Sequence, residues 1–247
     1  GGRLIFQSTR DGWPCDQQYV LEMATGAVHR VSTGTGRTTC GYFYDHDRRV
    51  LFSSTHLGGD SCPPLPDFSQ GYTWSVYPEY DIFTARPDGS DLRRLTSTPG
   101  YDAEATVSTD GRTIVFTSVR DGDLDLYTMR PDGSGVTRLT DRAGYDGGAF
   151  FSRDGRWICW RAGYPADSSI AGYRALLARH LVRPSAMDLW VMRSDGTGKR
   201  RVTDKPGASF APYFTPDGKA LIYSSNWENP RGRNFDLYLV GTDGGEP

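Results

Sequence analysis

Short runs of alternating apolar and polar residues recur along the chain, and an Asp-Gly pair or a similar tight-turn pair closes most of them. This is the pattern of half-buried strands joined by hairpins. Three stretches align with one another: Glu104 to Ser118, Ala149 to Trp160 and Ala211 to Ser225. Each predicts a strand, an Asp-Gly turn and a second strand. The strings Tyr80 to Gly89, Leu124 to Gly133, Met187 to Gly196 and Phe235 to Gly244 predict a third strand that runs into another hairpin turn. A short fourth strand shows as Arg30-Val31-Ser32, Arg94-Leu95-Thr96, Arg138-Leu139-Thr140 and Arg201-Val202-Thr203. Four antiparallel strands per repeat describe the blade of a β-propeller, an all-β fold.

The turn aspartates Asp47, Asp110, Asp154 and Asp217 lie 63, 44 and 63 positions apart. The 44-residue spacing is that of a bare blade. The two longer spacings carry insertions of similar size between the second and third strands, at 56–79 and 164–186. Five units result, at about 1–36, 37–99, 100–143, 144–206 and 207–247, in one domain. The first begins at its second strand and the fifth stops after its third, so both are incomplete.

The string Ser/Thr-x-Asp-Gly-Arg/Lys, an apolar strand, then Asp-Leu/Ile-Tyr/Phe and a second Asp-Gly resembles the TolB-type propeller repeat over almost the whole chain. That resemblance implies a six-bladed ring, hence a natural protein that continues past both ends of this sequence, with a closed five-bladed ring that lacks an inner strand as the alternative, and a periplasmic or extracellular location. It is weak for function. Such propellers serve as binding proteins, as gating domains of peptidases and as the body of a lyase.

Composition supports strands and excludes some functions. Tyr, Phe and Trp number 14, 11 and 6, glycine numbers 30, and the net charge of −2 leaves no basic footprint for nucleic acid. No stretch reaches the roughly 20 apolar residues of a membrane span, and the start lacks the pattern of a leader peptide, so membrane insertion is not expected and any export signal is expected to have been removed.

In a four-stranded blade whose first strand is innermost, the starts of the first strands and both insertions share one face, and the Asp-Gly hairpins occupy the other. Function is expected on the insertion face. Arg37, Tyr101, Asp102, Glu104, Tyr145 and Asp146 fall at the channel mouth there. Asp102, Glu104 and Asp146 would form a ring of oxygens suited to a hard cation such as calcium, or else cap strand ends and bind water. The first insertion combines four prolines with Phe68, Tyr72, Trp74 and Tyr77, a surface for a protein or peptide partner, with a glycan as the alternative. The second insertion predicts a short helix, with Ile170, Tyr173, Leu176, Leu177 and Leu181 along one side docked on the rim and Pro184 as its stop.

No zinc spacing is present among Cys15, Cys40, Cys62 and Cys159. Cys159 reads as core. Cys15 and Cys62 stand in corresponding loops of neighbouring units, so a bridge between them is expected, with Cys15 to Cys40 the competing pair. The recurring Asp81, Asp125, Asp188 and Asp236, with Gln17 in the first unit, read as parts that hold each blade together. Asp121-Gly-Asp-Leu-Asp125 departs from a calcium loop and reads as a turn. No serine-hydrolase elbow and no zinc-protease motif occurs. The expectation is a non-catalytic binding propeller. Gating of a larger peptidase is one alternative, and a metal-dependent polysaccharide lyase using Arg37, His56 and Asp102 is another.

Overall fold

The computed structural model describes residues 2–245; Gly1, Glu246 and Pro247, where the first unit was drawn to begin and the fifth to stop, lie outside the described residues. The five units form five blades. The first contains β1 (Arg3–Ser8), β2 (Gln17–Glu22) and β3 (Val28–Arg30). The second is β4 (Thr38–Tyr44) and β5 (Arg49–Ser54), then, past β6 (Trp74–Ser75) in the insertion, β7 (Asp81–Ala85) and β8 (Arg93–Arg94). The third is β9 (Asp102–Val107), β10 (Ile114–Ser118), β11 (Asp125–Met129) and β12 (Thr137–Arg138). The fourth has β13 (Tyr145–Phe151) and β14 (Trp157–Gly163), an insertion carrying α1 (Ile170–Leu177) and β15 (Leu181–Val182), then β16 (Asp188–Arg193) and β17 (Arg200–Arg201). The fifth is β18 (Ser209–Phe214), β19 (Ala220–Ser225) and β20 (Asp236–Gly241).

Strands pair antiparallel in chain order within each blade, and the three complete blades read β4-β5-β7-β8, β9-β10-β11-β12 and β13-β14-β16-β17. The first described blade lacks an inner strand and the fifth lacks an outer one. The inner strands β4, β9, β13 and β18 pack side by side around a channel.

Alternation places one apolar row of each blade against the next. Val115 and Leu126 of the third blade join Phe151, Ile158 and Trp160 of the fourth in one cluster. Cys159 and Leu189, at the same repeat positions in the fourth blade, join Phe214, Leu221 and Tyr223 of the fifth. Each such interface removes several large side chains from water, at roughly 1.5–3 kcal/mol per side chain.

The recurring aspartate closes each four-stranded blade from its edge. Thr96, Thr140 and Thr203 accept the N–H of Ile82, Leu126 and Leu189 at 2.9, 2.8 and 2.9 Å, and donate to Asp81, Asp125 and Asp188 at 3.3 Å in every case. Arg94, Arg138 and Arg201 reach the other carboxylate oxygen at 2.6, 2.6 and 2.8 Å. In the first blade Ser32 accepts from the N–H of Gln18 and donates to Gln17, so the glutamine keeps the hydroxyl part of the tie, while Arg30 donates to the carbonyl of Ser32 at 3.0 Å. Burial pushes Asp125 up to about 6 although Arg138 pulls the other way.

Candidate functional site

The two insertions meet over the channel. Trp74 and Ser75 of β6 pair antiparallel with Val182 and Leu181 of β15, and the N–H of Val76 donates to the carbonyl of His180 at 2.9 Å. Arg183 adds a contact to the carbonyl of Tyr72 at 3.4 Å. A loop from the second blade and a loop from the fourth thereby form one cap across the third. Underneath it Val76, Tyr80, Tyr101, Leu124, Tyr145 and Val182 are buried together, with Trp74, Tyr173 and Leu177 packed against them. The helix is shorter than the stripe predicted. It ends at Leu177, Leu181 belongs to the paired strand, and none of its residues is fully buried. What anchors it is Tyr173, whose hydroxyl donates to Asp123 and to the carbonyl of Gly144.

Cys15 and Cys62 are joined by a disulfide, Cα to Cα 5.5 Å, which ties the proline-rich loop to the first blade. Cys40 is a free thiol and Cys159 is free and fully buried in the core.

Each inner strand carries the same irregularity. The pairing register shifts between Thr39 and Tyr42, opposite Val115 to Thr117, between Gly147 and Phe150, and between Phe210 and Tyr213. At the shift sits a left-handed residue, Cys40, Glu104, Gly148 or Ala211, with φ of 57°, 59°, 59° and 50°. A β-bulge re-aims the side chain at its apex, and a non-glycine residue in this region costs about 1 kcal/mol or more, so Cys40, Glu104 and Ala211 carry strain that Gly148 does not.

Glu104 shows what the bulge achieves. Its carboxylate accepts from Tyr145 Oη at 2.8 Å, Gly148 N–H at 2.7 Å, Thr117 Oγ1 at 3.2 Å and Arg161 Nη2 at 2.5 Å. A Cβ on Gly147 would stand 2.3 Å from this carboxylate, and one on Gly148 would stand 2.0 Å from Arg161 Nη1, so the Gly-Gly pair in the facing strand leaves the space that the ion pair fills. Burial opposes the charge on Arg161, but Glu104 and Tyr145 outweigh it and hold the guanidinium above its ordinary value. The Arg161 guanidinium also lies over Trp74 at 5.2 Å and Tyr145 at 5.5 Å. Burial pushes the Cys40 thiol up to about 11, with Glu104 adding to the shift, which leaves it protonated and weakly nucleophilic at neutral pH.

Beside this cluster opens a cavity of about 520 Å³, lined by Arg37, Thr39, Cys40, Tyr101, Glu104, Tyr145 and Arg161 from the blades and by Phe68, Tyr72, Thr73, Trp74 and Tyr77 from the cap. At its rim Leu65, Phe68 and Tyr72 are 67%, 48% and 64% exposed, with the rings of Phe68 and Tyr72 stacked at 5.9 Å. Eight residues expected at the mouth, Arg37, Tyr101, Glu104, Tyr145, Phe68, Tyr72, Trp74 and Tyr77, therefore line one pocket. Arg161, Thr73, Thr39 and Cys40 are among the others that line it; only the Gly147-Gly148 pair inside a strand pattern hinted at the bulges, and nothing local marked Arg161.

Asp102 and Asp146 do not line it. Asp102 is 1% exposed and faces Arg120 at 2.9 Å, and Asp146 is fully buried, accepting from Trp160 Nε1 and Tyr164 Oη at 2.6 Å each. The convergence of Asp102, Glu104 and Asp146 is thus corrected: the bulge turns Glu104 toward the channel and away from the side that Asp102 occupies. Among the described residues no group of three His, Cys, Asp or Glu is placed to hold a metal ion, so the calcium expectation finds no donor set. Burial pushes Asp146 up to about 7. Of Arg37, His56 and Asp102, only Arg37 lines the pocket; His56 bonds Ser54 at 2.8 Å and packs on Phe83 at 4.5 Å.

A larger cavity, about 1310 Å³, lies on the hairpin face and is bounded by turn residues such as Asp110 and Asp132 and by Tyr213, Ile222 and Leu239 of the fifth blade. None of its lining side chains carries a buried polar atom without a partner, whereas the mouth pocket has three.

No family model matches the chain. A stretch of 56 residues is 40% identical to the Tol-Pal system protein TolB of Bordetella pertussis, which is 23% of this chain and 12% of that protein. The crystal structure of TolB from Acinetobacter baumannii superimposes with a TM-score of 0.66 at 18% identity, covering 98% of this chain and 50% of that one. An oligogalacturonate lyase solved in complex with manganese superimposes with a TM-score of 0.55 at 18% identity, covering 93% of this chain and 55% of that one. The chain spans about half the length of the solved TolB, and at such identities the structural likeness shows the fold, a TolB-like β-propeller of four-stranded blades. No described helix is long and apolar enough to cross a membrane.

Proposed function

We propose that this TolB-like β-propeller is a binding module that takes a protein or peptide segment of a partner at the capped channel mouth, and that it works in the periplasm, as the similarity to the Tol-Pal system protein suggests. One observation carries the reading. Two insertions from different blades pair over the channel and hold an aromatic rim, Phe68 and Tyr72 above Trp74, in contact with solvent next to a polar pocket. Exposed aromatic side chains on a preformed frame are the usual anchors of protein recognition, because they contribute large contact area with little loss of side-chain freedom. The disulfide and the prolines lower the cost of holding the rim in place. The lyase and peptidase-gating alternatives find no residue set in the described chain that favours them over binding.

The test is site-specific photo-crosslinking in an extract of the source cells. A benzophenone side chain in place of Tyr72 is expected to capture a discrete partner chain, and the same group in place of Thr109 on the hairpin face is expected to capture none. Capture from Thr109 with none from Tyr72 would reverse the assignment of the functional face.

A further inference from the structure

The buried polar atoms that lack a partner in the mouth pocket are Arg37 Nε, Arg161 Nε and Thr73 Oγ1. Two are obligate donors and the third is a hydroxyl that can donate. The acceptors show the opposite condition. Glu104, the pocket's one lining carboxylate, already accepts from four groups, and the remaining charged residues of the lining are Arg37 and Arg161. Asp16, which pairs with Arg37 Nη1 at 3.3 Å, stands outside the lining, and Arg37 Nη2 donates to Cys62 Sγ at 3.7 Å, so Nε is the donor of that guanidinium left without a partner. A cationic ligand group would find no free carboxylate here. An anionic one finds two guanidinium Nε–H donors and a hydroxyl whose desolvation is otherwise uncompensated.

We propose, resting on the binding reading above, that the segment taken at this mouth is acidic: its carboxylates sit among Arg37, Thr73 and Arg161, and its apolar side chains lie on Phe68 and Tyr72. The arginines suit this because each is held by a first carboxylate through its terminal nitrogens, Asp16 for Arg37 and Glu104 for Arg161. The guanidinium planes are therefore fixed before the ligand arrives, and the ordering cost of a long side chain does not fall on binding.

Two probes test it by calorimetry: an acetylated, amidated tetrapeptide of tryptophan, glycine and two glutamates, and the same peptide with glutamines in place of the glutamates. The acidic peptide is expected to bind at least about tenfold more tightly, and Arg37→Gln is expected to shrink that preference below about threefold. Arg161→Lys, which keeps the charge facing Glu104 but loses Nε, is expected to reduce it as well and guards against a misfolded Arg37 variant. Equal binding of the two peptides, a preference unchanged in both variants, or no binding of either at millimolar concentration overturns the proposal. A partner captured through Tyr72 together with equal peptide binding overturns the acidic ligand alone. Failure of capture at Tyr72 overturns the site on which it rests.

Discussion

The third and fifth blades are written in the same repeat and meet opposite fates. Val115 and Leu126 of the third are both fully buried, as are Cys159 and Leu189 at the same positions of the fourth, while their counterparts Ile222 and Leu237 of the fifth are 43% and 74% exposed. The residues are equally apolar; what differs among the described residues is that a further blade packs against the third and the fourth. The repeat therefore does not encode a finished unit. It encodes one face for the neighbour before and one for the neighbour after, and stability is shared between adjacent units.

The comparison is broken or sharpened most strongly by truncating these leucines. Leu126→Ala is expected to lower unfolding free energy by about 2–5 kcal/mol in urea denaturation, and Leu237→Ala by no more than about 0.5 kcal/mol. Equal costs would mean that the fifth blade's face is covered in solution. The disulfide comes next. Cys15→Ser with Cys62→Ser opens a loop of 47 residues and is expected to cost about 2–4 kcal/mol in the same assay, while a loss near zero would mean that the cap is held by β6 and β15 alone.

A pH series separates buried from uncovered blades a third way. Asp146 is pushed up to about 7 by burial, and its counterpart in the fifth blade is Ser209. The folded state holds the Asp146 proton more tightly than the unfolded chain does. Its contribution to stability is thus full below about pH 4 and is lost as the pH rises through about 7, at roughly 1.4 kcal/mol per unit at most. Asp146→Asn, which keeps an acceptor for Trp160 and Tyr164, is expected to flatten the fall in urea midpoint over that range; an unchanged slope would place the titration elsewhere. The smallest contrast lies at the blade ties. Asp125→Ala strands Arg138 and Thr140 and is expected to cost about 1–3 kcal/mol, whereas Asp236→Ala, in a blade without its fourth strand, is expected to cost less than about 0.5 kcal/mol.

The blades were legible in the chain because their signals are local. An Asp-Gly turn between alternating strands specifies its own hairpin, and the Asp-Leu-Tyr and Arg-Leu-Thr strings predict the third and fourth strands at the edge. The mouth was legible as a region and not as a geometry. Period two puts Asp102 and Glu104 on one side of a strand, and it takes the left-handed bulge at Glu104 to turn that carboxylate toward Tyr145 and Arg161. Strain of this kind is set by contacts with the next blade and leaves no periodic trace. The cap is hidden for another reason: β6 and β15 are two residues each and lie more than a hundred positions apart, so no window of sequence contains their pairing. Arg161 sits in a strand whose neighbours read as core, and only the space vacated by Gly147 and Gly148 explains where its guanidinium goes.

The central claim, that recognition occurs at the capped mouth, is tested most directly by hydrogen–deuterium exchange with and without the partner recovered through Tyr72. Slowed exchange is expected over 65–77 and 178–184, the two arms of the cap, with 108–112 and 131–135 on the hairpin face unchanged. Protection of the hairpin segments with an unaltered cap would contradict the account.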